Sequence, residues 1–199
     1  MKETPYVALL RGINVGGNNL IKMTALKDCF EKQGFADVRT YIQSGNVLFK
    51  SAEKNLLKLT ERIQKALLEE FGSTTRVLVL SHDALSRGVK GAPEGFGTEP
   101  EKYRYDVIFL LPPARTYRGS FGTGGPVTAK KAIQEIKTKE GVDMATAGKG
   151  VLYFSRLIAK ASHSHLARVI KLPIYKSMTI RNWNTTTKLL ALMEERAGA

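Results

Sequence analysis

ADVRTYIQSGNVLFKS, at residues 36–51, is the segment from which the fold of this chain is most directly inferred. Val38, Thr40 and Ile42 alternate with residues of the opposite face, which is typical of a half-buried β-strand. Ser-Gly-Asn follows at positions 44–46, and these residue types are favoured in tight turns. An apolar Val-Leu-Phe run comes next, so the segment predicts a β-hairpin.

A strand and a helix are predicted on the N-terminal side of this hairpin. Residues 6–13 form a continuous apolar run, which indicates a buried strand, and the loop NVGGNNLIK follows at 14–22. Thr24 is a suitable N-cap for a helix, and Gly34 is a suitable residue to end it. Apolar residues recur at helical spacing between them, at Leu26, Cys29 and Phe30. The predicted order so far is strand, helix and hairpin.

A helix, a strand and a second helix are predicted on the C-terminal side of the hairpin. Five apolar residues share one helical face, at Leu56, Leu59, Ile63, Leu67 and Phe71. Gly72 ends this helix, residues 76–80 form a buried strand, and Ser81 caps a short helix through Val89. The first half of the chain is therefore predicted as β-α-β-β-α-β-α.

The second half repeats this order of elements with different residues. Strands are predicted at 103–111, on both sides of 148–150 and at 178–180, and helices at 127–138, at 165–172 and from an N-cap at Asn184. We therefore expect an α+β fold of two ferredoxin-like β-α-β-β-α-β repeats, each followed by an extra helix. The expected domains are a first repeat at 1–90, a Pro- and Gly-rich linker at 91–100 and a strongly basic second repeat at 101–199. One mixed α/β domain is the alternative.

Three segments carry a resemblance to known proteins, namely LRGINVGGNN at 10–19, TYIQSGNVLF at 40–49 and TIRNWNTTTKLLAL at 179–192. Together they resemble a bacterial family known only as a domain of unknown function, with an N-terminal LRGINVGG and a C-terminal TxRNWNT signature. The likeness extends over nearly the whole chain. It implies membership of an uncharacterised bacterial family and implies no activity or ligand.

The first loop has the composition of an anion-binding site. Its candidate ligand-binding residues are Arg11, Asn14, Gly16, Gly17, Asn18 and Lys22. Glycine permits close backbone approach, Arg and Lys carry positive charge, and the helix behind the loop adds its dipole. The β-α-β-β order places the hairpin turn at the same end of the sheet, which adds Ser44 and Asn46 as candidates. A purely structural loop and turn is the alternative.

The second candidate site is the segment RNWNTTTK at 181–188. Its candidate residues are Arg181, Asn182, Trp183, Asn184 and Lys188. Arg181 can hold a phosphate or carboxylate through two N–H groups, Trp183 can stack on a ring, and the amides can bind polar edges. The structural alternative has Asn184 as an N-cap and Trp183 in the core. The topology of the second half adds the secondary candidates Arg115, Arg118 and Lys149.

Positive charge is concentrated in the second half. The chain has 31 Lys and Arg against 18 Asp and Glu, a formal net charge of +13. The first 100 residues contribute +3 and the remainder +10, and residues 144–193 contain eight cations and no acidic residue. We therefore predict a basic face, for which nucleic acid is the commonest partner. Its residues are Lys149, Arg156, Lys160, Arg168, Lys171 and Lys176. A solvated face without a partner is the alternative.

Composition and spacing exclude several functional classes. The single cysteine, Cys29, cannot form an internal disulfide or a cysteine-based zinc site, and its place on an apolar helix face predicts an inert buried thiol. No recognised metal, nucleotide or serine-hydrolase motif is present, and His163 and His165 have no carboxylate nearby in sequence, so we expect no metal and no cofactor. Because no segment has the length of a signal peptide core or a membrane span, we expect a cytoplasmic protein without a membrane partner.

These observations predict the class of ligand and do not predict a reaction. The preferred hypothesis is a binding protein for an anionic partner, either nucleic acid or a phosphorylated small molecule. The alternative is a small metal-independent enzyme that acts on an anionic metabolite or nucleotide, which it positions with Arg, Asn and Ser groups. An interaction module without a pocket is a third possibility. No catalytic residue is identified, and the sequence leaves enzymatic activity open.

Overall fold

The computed structural model describes residues 3–14, 20–111 and 128–197. The protein is α+β and contains two four-stranded antiparallel sheets. The chain forms two compact units, of which the first comprises the chain up to Ser86 and from Lys188 onward, and the second is Arg87–Thr187. Among the described residues, no helix is both long and apolar enough to cross a membrane.

The first sheet and its helices follow the order expected from the sequence. Their elements are β1 (Thr4–Leu10), α1 (Met23–Lys32), β2 (Ala36–Tyr41), β3 (Asn46–Ser51), α2 (Leu56–Phe71), β4 (Val77–Ser81) and α3 (His82–Lys90). The strands lie in the order β2-β3-β1-β4, and every neighbouring pair is antiparallel. The hairpin predicted at residues 36–51 is confirmed as β2 and β3.

Local signals explain where α1 and α2 begin and end. Asn55 caps α2, because its Oδ1 accepts hydrogen bonds from two backbone N–H groups of the first turn at 3.0 and 3.2 Å. Gly72 ends α2 with a φ of 62°, a left-handed conformation that favours glycine. The predicted N-cap Thr24 is wrong, because α1 begins at Met23 and Lys22 is the residue before it.

The core of the first unit lies between its sheet and the helices α1 and α2. Four aromatic residues contribute to this core, Tyr6, Phe30, Phe35 and Phe49. Cys29 lies among them, so the predicted buried thiol is confirmed. Burial raises the pKa of Cys29, which keeps the thiol protonated and unreactive.

The second unit has the same strand arrangement as the first. Its elements are β5 (Tyr103–Leu110), α4 (Ala129–Glu135), β6 (Asp143–Ala147), β7 (Val151–Leu157), α5 (Leu166–Val169), β8 (Met178–Asn182) and the start of α6 (Trp183–Ala197), with 3-10 turns at Ile158–His163 and Pro173–Ser177. The strand order is β6-β7-β5-β8, again with antiparallel neighbours. Ile108, Leu152 and Phe154 form the centre of its core.

Two details predicted for the second unit are wrong. The helix predicted at 165–172 is only the single turn α5, because Pro173 favours an extended backbone at Leu172 and so stops the helix. The predicted N-cap Asn184 lies inside α6. Asn182 takes the capping position, since its Oδ1 accepts the backbone N–H of Asn184 at 3.0 Å.

The linker predicted at 91–100 is instead part of the second unit. The ring of Phe96 packs edge-on against those of Tyr105, Tyr153 and Trp183, with centroid distances of 4.9, 5.4 and 5.1 Å. Such aromatic pairs each contribute roughly 0.5–1.5 kcal/mol beyond the area they bury. These contacts hold the segment against the second sheet, so the boundary between the units falls within α3 rather than after it.

Candidate functional site

Three backbone segments meet at the end of the first sheet where β1 finishes. The N–H of Leu10 donates to the carbonyl of Gly45 at 2.7 Å, and the N–H of Arg11 donates to the carbonyl of Arg76 at 2.9 Å. Because β1 lies between β3 and β4, its last residues contact the hairpin turn on one side and the start of β4 on the other. The structure therefore places the first loop beside the hairpin turn, as the topology predicted.

Asn14 ties the first loop to the hairpin turn. Its Nδ2 donates to the carbonyls of Ile21 and Gln43, both at 3.0 Å, and its Oδ1 accepts the N–H of Ile21 at 2.8 Å. Both amide hydrogens are thus used inside the protein. Asn14 also has a φ of 54°, a left-handed conformation that asparagine tolerates. These contacts make Asn14 a residue that positions the loop.

Asn46 and Ser44 hold the hairpin turn together. Asn46 is fully buried, and its Nδ2 donates to the carbonyl of Tyr41 at 3.1 Å and to Oγ of Ser44 at 3.0 Å. A buried amide that lost these partners would be costly. The contacts support the structural alternative for both residues.

Two half-buried arginines carry charge at this end of the sheet. Arg11 follows β1 and Arg76 precedes β4, and their backbones are hydrogen-bonded to each other. Burial, together with the positive charge of Arg11, lowers the pKa of Arg76. Arg76 is missing from the residues predicted by sequence reasoning. Its place at the start of the predicted strand at 76–80, next to β1 in the sheet, is the signal that would have identified it.

The N-terminus of α1 adds uncapped backbone N–H groups to the same end. Ile21, which Asn14 holds by two hydrogen bonds, lies two residues before Met23, the first residue of α1. Among the described residues no side chain caps this helix, and its first turn contains no acidic residue. The helix end therefore presents a positive partial charge beside the exposed Lys22.

Two exposed aliphatic side chains lie next to these groups in sequence. Leu20 is 75% exposed and Ile42 is 49% exposed, and each adjoins a residue that Asn14 binds. Ile42 has a φ of 49°, in the left-handed region that β-branched residues rarely adopt. Strain of this kind, on the order of 1–3 kcal/mol, is concentrated at functional sites in proteins. Cations and apolar surface are thus combined at this end of the sheet.

The described part of this candidate site consists of cations and a helix end. We call it the Arg11–Arg76 site, and it comprises Arg11, Arg76, Lys22 and the N-terminus of α1. Some predicted residues lie outside the described ranges, namely Gly16, Gly17 and Asn18 of the first loop and Arg115 and Arg118 of the second half. Within the described ranges, no group of three or more His, Cys, Asp or Glu side chains is placed to hold a metal ion.

The arginine of the second predicted site is buried. Arg181 on β8 is 7% exposed, and its guanidinium group donates to Thr179 Oγ1 at 3.0 Å and to the carbonyl of Ile180 at 2.8 Å. Burial lowers the pKa of Arg181 to about 10. Because the protein's own acceptors hold this charge in the interior, the contacts do not support the predicted role of Arg181 in binding an external anion.

The residues that follow, at the end of β8 and on α6, also make structural contacts. Asn182 donates from Nδ2 to a β5 carbonyl at 3.1 Å and caps α6 with Oδ1. Trp183 is engaged in the aromatic contacts described above. Asn184 and Lys188 are exposed, and Lys188 belongs to the first unit. The segment at 181–188 thus fits the structural alternative better than a ligand cluster.

The predicted basic face is divided between two ends of the second sheet. The turn with Lys149 lies where β5 finishes, since the N–H of Leu110 donates to the carbonyl of Gly150 at 3.1 Å. Lys176 lies two residues before the start of β8, at this same end. Lys160 follows β7 and lies at the opposite end. A strand with the seven residues of β7 spans about 20 Å, so these cations do not form one compact patch.

Exposure and pairing divide the predicted basic residues further. Five of them are exposed, namely Lys149, Lys160, Arg168, Lys171 and Lys176. Arg156 instead forms an ion pair with the buried Asp106, with 3.4 Å between Nη2 and Oδ2. Burial raises the pKa of Asp106, and the charge of Arg156 opposes that shift. Arg156 therefore does not belong to the basic face, because its charge is paired with the buried carboxylate of Asp106.

Comparisons with known proteins give a fold from one solved structure and a family from one family model. The structure titled as that of the conserved bacterial protein SP0830 from Streptococcus pneumoniae has a TM-score of 0.75 to this chain, at 22% sequence identity, and the match covers 96% of this chain and 99% of that one. At this identity the likeness concerns the fold alone. A comparison with curated proteins finds no match. The family described as protein of unknown function (DUF1697) matches residues 3–120, more than half of the chain, and the chain therefore belongs to that family.

Proposed function

We propose that the protein binds an anionic small molecule with a phosphate or similar group at the Arg11–Arg76 site. The observation that carries this proposal is the pair of half-buried arginines at the adjoining ends of β1 and β4. Burial lowers the pKa of Arg76, and the like charge of Arg11 lowers it further, because the two cations repel each other. A bound anion offsets this repulsion and accepts charge-assisted hydrogen bonds from both guanidinium groups.

Other groups at the same end of the first sheet support the same class of ligand. The uncapped N-terminus of α1 offers backbone N–H groups and a favourable dipole to an anion. The exposed Lys22 adds a full charge, and Leu20 and Ile42 offer apolar surface for the remainder of a ligand. A phosphorylated molecule with an apolar or ring portion matches this combination.

The charges of the second unit favour a small anion over a nucleic acid. A nucleic-acid surface needs cations along one face that follow the phosphate backbone. The exposed cations here lie at both ends of the sheet, while Arg156 is paired and Arg181 is buried. Binding of a nucleic acid is therefore an alternative that the titration described below also tests. The enzyme hypothesis stays an untested prediction.

We also propose that both units are ferredoxin-like repeats of one architecture. Each sheet places its second, third, first and fourth strands side by side in that order. In the first unit α1 and α2 occupy the two helical positions of the β-α-β-β-α-β pattern. In the second unit α4 takes the first position, and α5 with its flanking 3-10 turns takes the second.

Replacing Arg76 with glutamine is expected to weaken the binding of a phosphate monoester by about tenfold or more. The reason is the loss of a charge-assisted hydrogen bond worth roughly 1.5–3 kcal/mol. Arg11→Gln is expected to act similarly. Isothermal titration calorimetry at low ionic strength, with nucleotides and sugar phosphates beside their dephosphorylated counterparts, measures the effect.

Arg39→Gln is the matched control for these two variants. Arg39 is an exposed arginine of the same unit on the edge strand β2, so its replacement should leave the affinity unchanged. A short single-stranded RNA in the same titration tests the nucleic-acid alternative. The proposal is contradicted if phosphorylated and dephosphorylated compounds bind equally, or if only the RNA binds and Arg76→Gln does not affect it.

A further inference from the structure

The second unit contains a pocket of about 370 Å³ on the sheet face opposite its core. Its floor is formed by alternate residues of three neighbouring strands, which point to the same face. Tyr105 of β5 pairs with Ser155 of β7, which in turn pairs with Met144 of β6, and Tyr153 of β7 pairs with Thr146 of β6. Residues 93–99, within the predicted linker at 91–100, form the wall.

Aromatic rings make up much of this pocket. Tyr103, Tyr105 and Tyr153 line it from the sheet, and Phe96 lines it from the wall. The edge-on contacts of Phe96 with Tyr105 and Tyr153 fix the wall against the floor. The faces of such rings carry negative partial charge, which attracts cations. This attraction is strongest where water is excluded from the ring face.

The charged groups of the pocket are acidic, in contrast to the chain as a whole. Glu94 and Glu99 line it, and no Lys or Arg is among its described lining residues, although the chain carries a net charge of +13. Ser155, a residue that is 4% exposed, also lies in the pocket lining. The charge of the lining thus disfavours anions and favours cations.

A cation from the chain itself already lies at the rim of this pocket. The Nζ atom of Lys102 is 3.3 Å from Oε1 of Glu99 and 5.1 Å from the ring centroid of Tyr103. The Lys102 side chain is 55% exposed, and Lys102 lies three residues after Glu99 and directly before Tyr103 in the chain. Glu99 and Tyr103 thus present a carboxylate and a ring to the same ammonium group.

We propose that this pocket binds an organic ammonium ion, primary or methylated, with its charge near Glu99 and its carbon atoms against Tyr103, Tyr105 and Phe96. The volume lies at the lower end of the range for small-molecule sites, which fits an amine of metabolite size. Lys102 competes for the same carboxylate and ring. The proposal concerns the second unit and is independent of the anion site.

A titration with choline tests this proposal, with uncharged dimethylbutanol as the carbon isostere. Trp183 is the only tryptophan of the chain and its ring packs against Phe96, so its fluorescence reports on the pocket wall. We expect saturable binding of choline and weaker binding of the isostere. Lys102→Ala is expected to strengthen choline binding by about three- to tenfold, because it removes the competing ammonium.

Glu99→Gln is expected to weaken choline binding by about the same factor, roughly three- to tenfold. Glu101→Gln is the control, because Glu101 is an exposed carboxylate of the same segment that does not line the pocket, and it should bind as the wild type does. A gain of affinity in Lys102→Ala cannot arise from misfolding. Equal binding of choline and its isostere, no gain in Lys102→Ala, or no saturable binding by either protein would overturn the proposal.

Discussion

Phe49→Ala is expected to lower the free energy of unfolding by about 3–5 kcal/mol, the usual cost of removing a fully buried aromatic ring. Phe49 is 1% exposed and stands at the centre of the first core. Its ring centroid lies 5.6 Å from that of Tyr6, 5.6 Å from that of Phe30 and 4.6 Å from that of Phe35. The substitution therefore leaves a cavity and removes three aromatic contacts.

Urea denaturation followed by circular dichroism measures this loss. Phe71→Ala is the matched control, because Phe71 is only partly buried against the same core and should lose less stability. Similar losses for both variants, or a loss for Phe49→Ala below about 1 kcal/mol, would show that this aromatic cluster does not organise the first unit.

Gly45→Ala is expected to lower the free energy of unfolding by about 2–4 kcal/mol, from left-handed backbone strain and overpacking together. Gly45 has a φ of +73°, and a Cβ atom there would lie 2.8 Å from Cγ1 of Ile13 and 2.9 Å from Cβ of Leu10. The Cβ of Leu10 is fixed to the backbone of β1 and cannot rotate away. The hairpin turn would therefore move away from the first loop.

Gly12→Ala separates the two causes of this loss. Gly12 has a φ of +71°, nearly that of Gly45, but a Cβ atom there would have no neighbour within 4 Å. Its replacement should cost only the backbone term, roughly 1–2 kcal/mol. Equal losses in the two variants would contradict the close contact between the turn and the end of β1. The same denaturation measurement serves both.

The sequence predicts the helices and strands correctly where local signals and long-range packing favour the same structure. The alternating residues at 36–51 gave the hairpin, and the apolar face from Leu56 to Phe71 with Gly72 behind it gave α2. Prediction failed where a tertiary contact overrode composition. Residues 91–100 have the composition of a linker, but the ring of Phe96 is held by three aromatic partners, of which Tyr153 and Trp183 lie far away in sequence.

The sequence predicts where the candidate site lies better than it predicts which residues form it. Topology alone predicts that the first loop lies beside the hairpin turn. The reason is that β1 is a central strand, so the loop that follows it lies next to the turn that leads into the neighbouring strand β3. Sequence cannot show which polar group already has an internal partner, so it leaves Asn14 and Asn46 as ligand candidates beside the structural alternative. In the structure their amides donate to backbone carbonyls. Arg76 was overlooked because its role depends on the partner strand and on no local motif.

The central claim is that the Arg11–Arg76 site, rather than the cations of the second unit, receives an anion. A titration of the isotope-labelled protein with inorganic phosphate at low ionic strength, followed by two-dimensional NMR, tests it residue by residue. We expect saturable shifts of the backbone amide signals of Arg11, Arg76 and the first turn of α1, and no saturable shifts at Lys160 or Arg168. Saturable shifts confined to Lys160 and Arg168, or none at the first turn of α1, would contradict the claim.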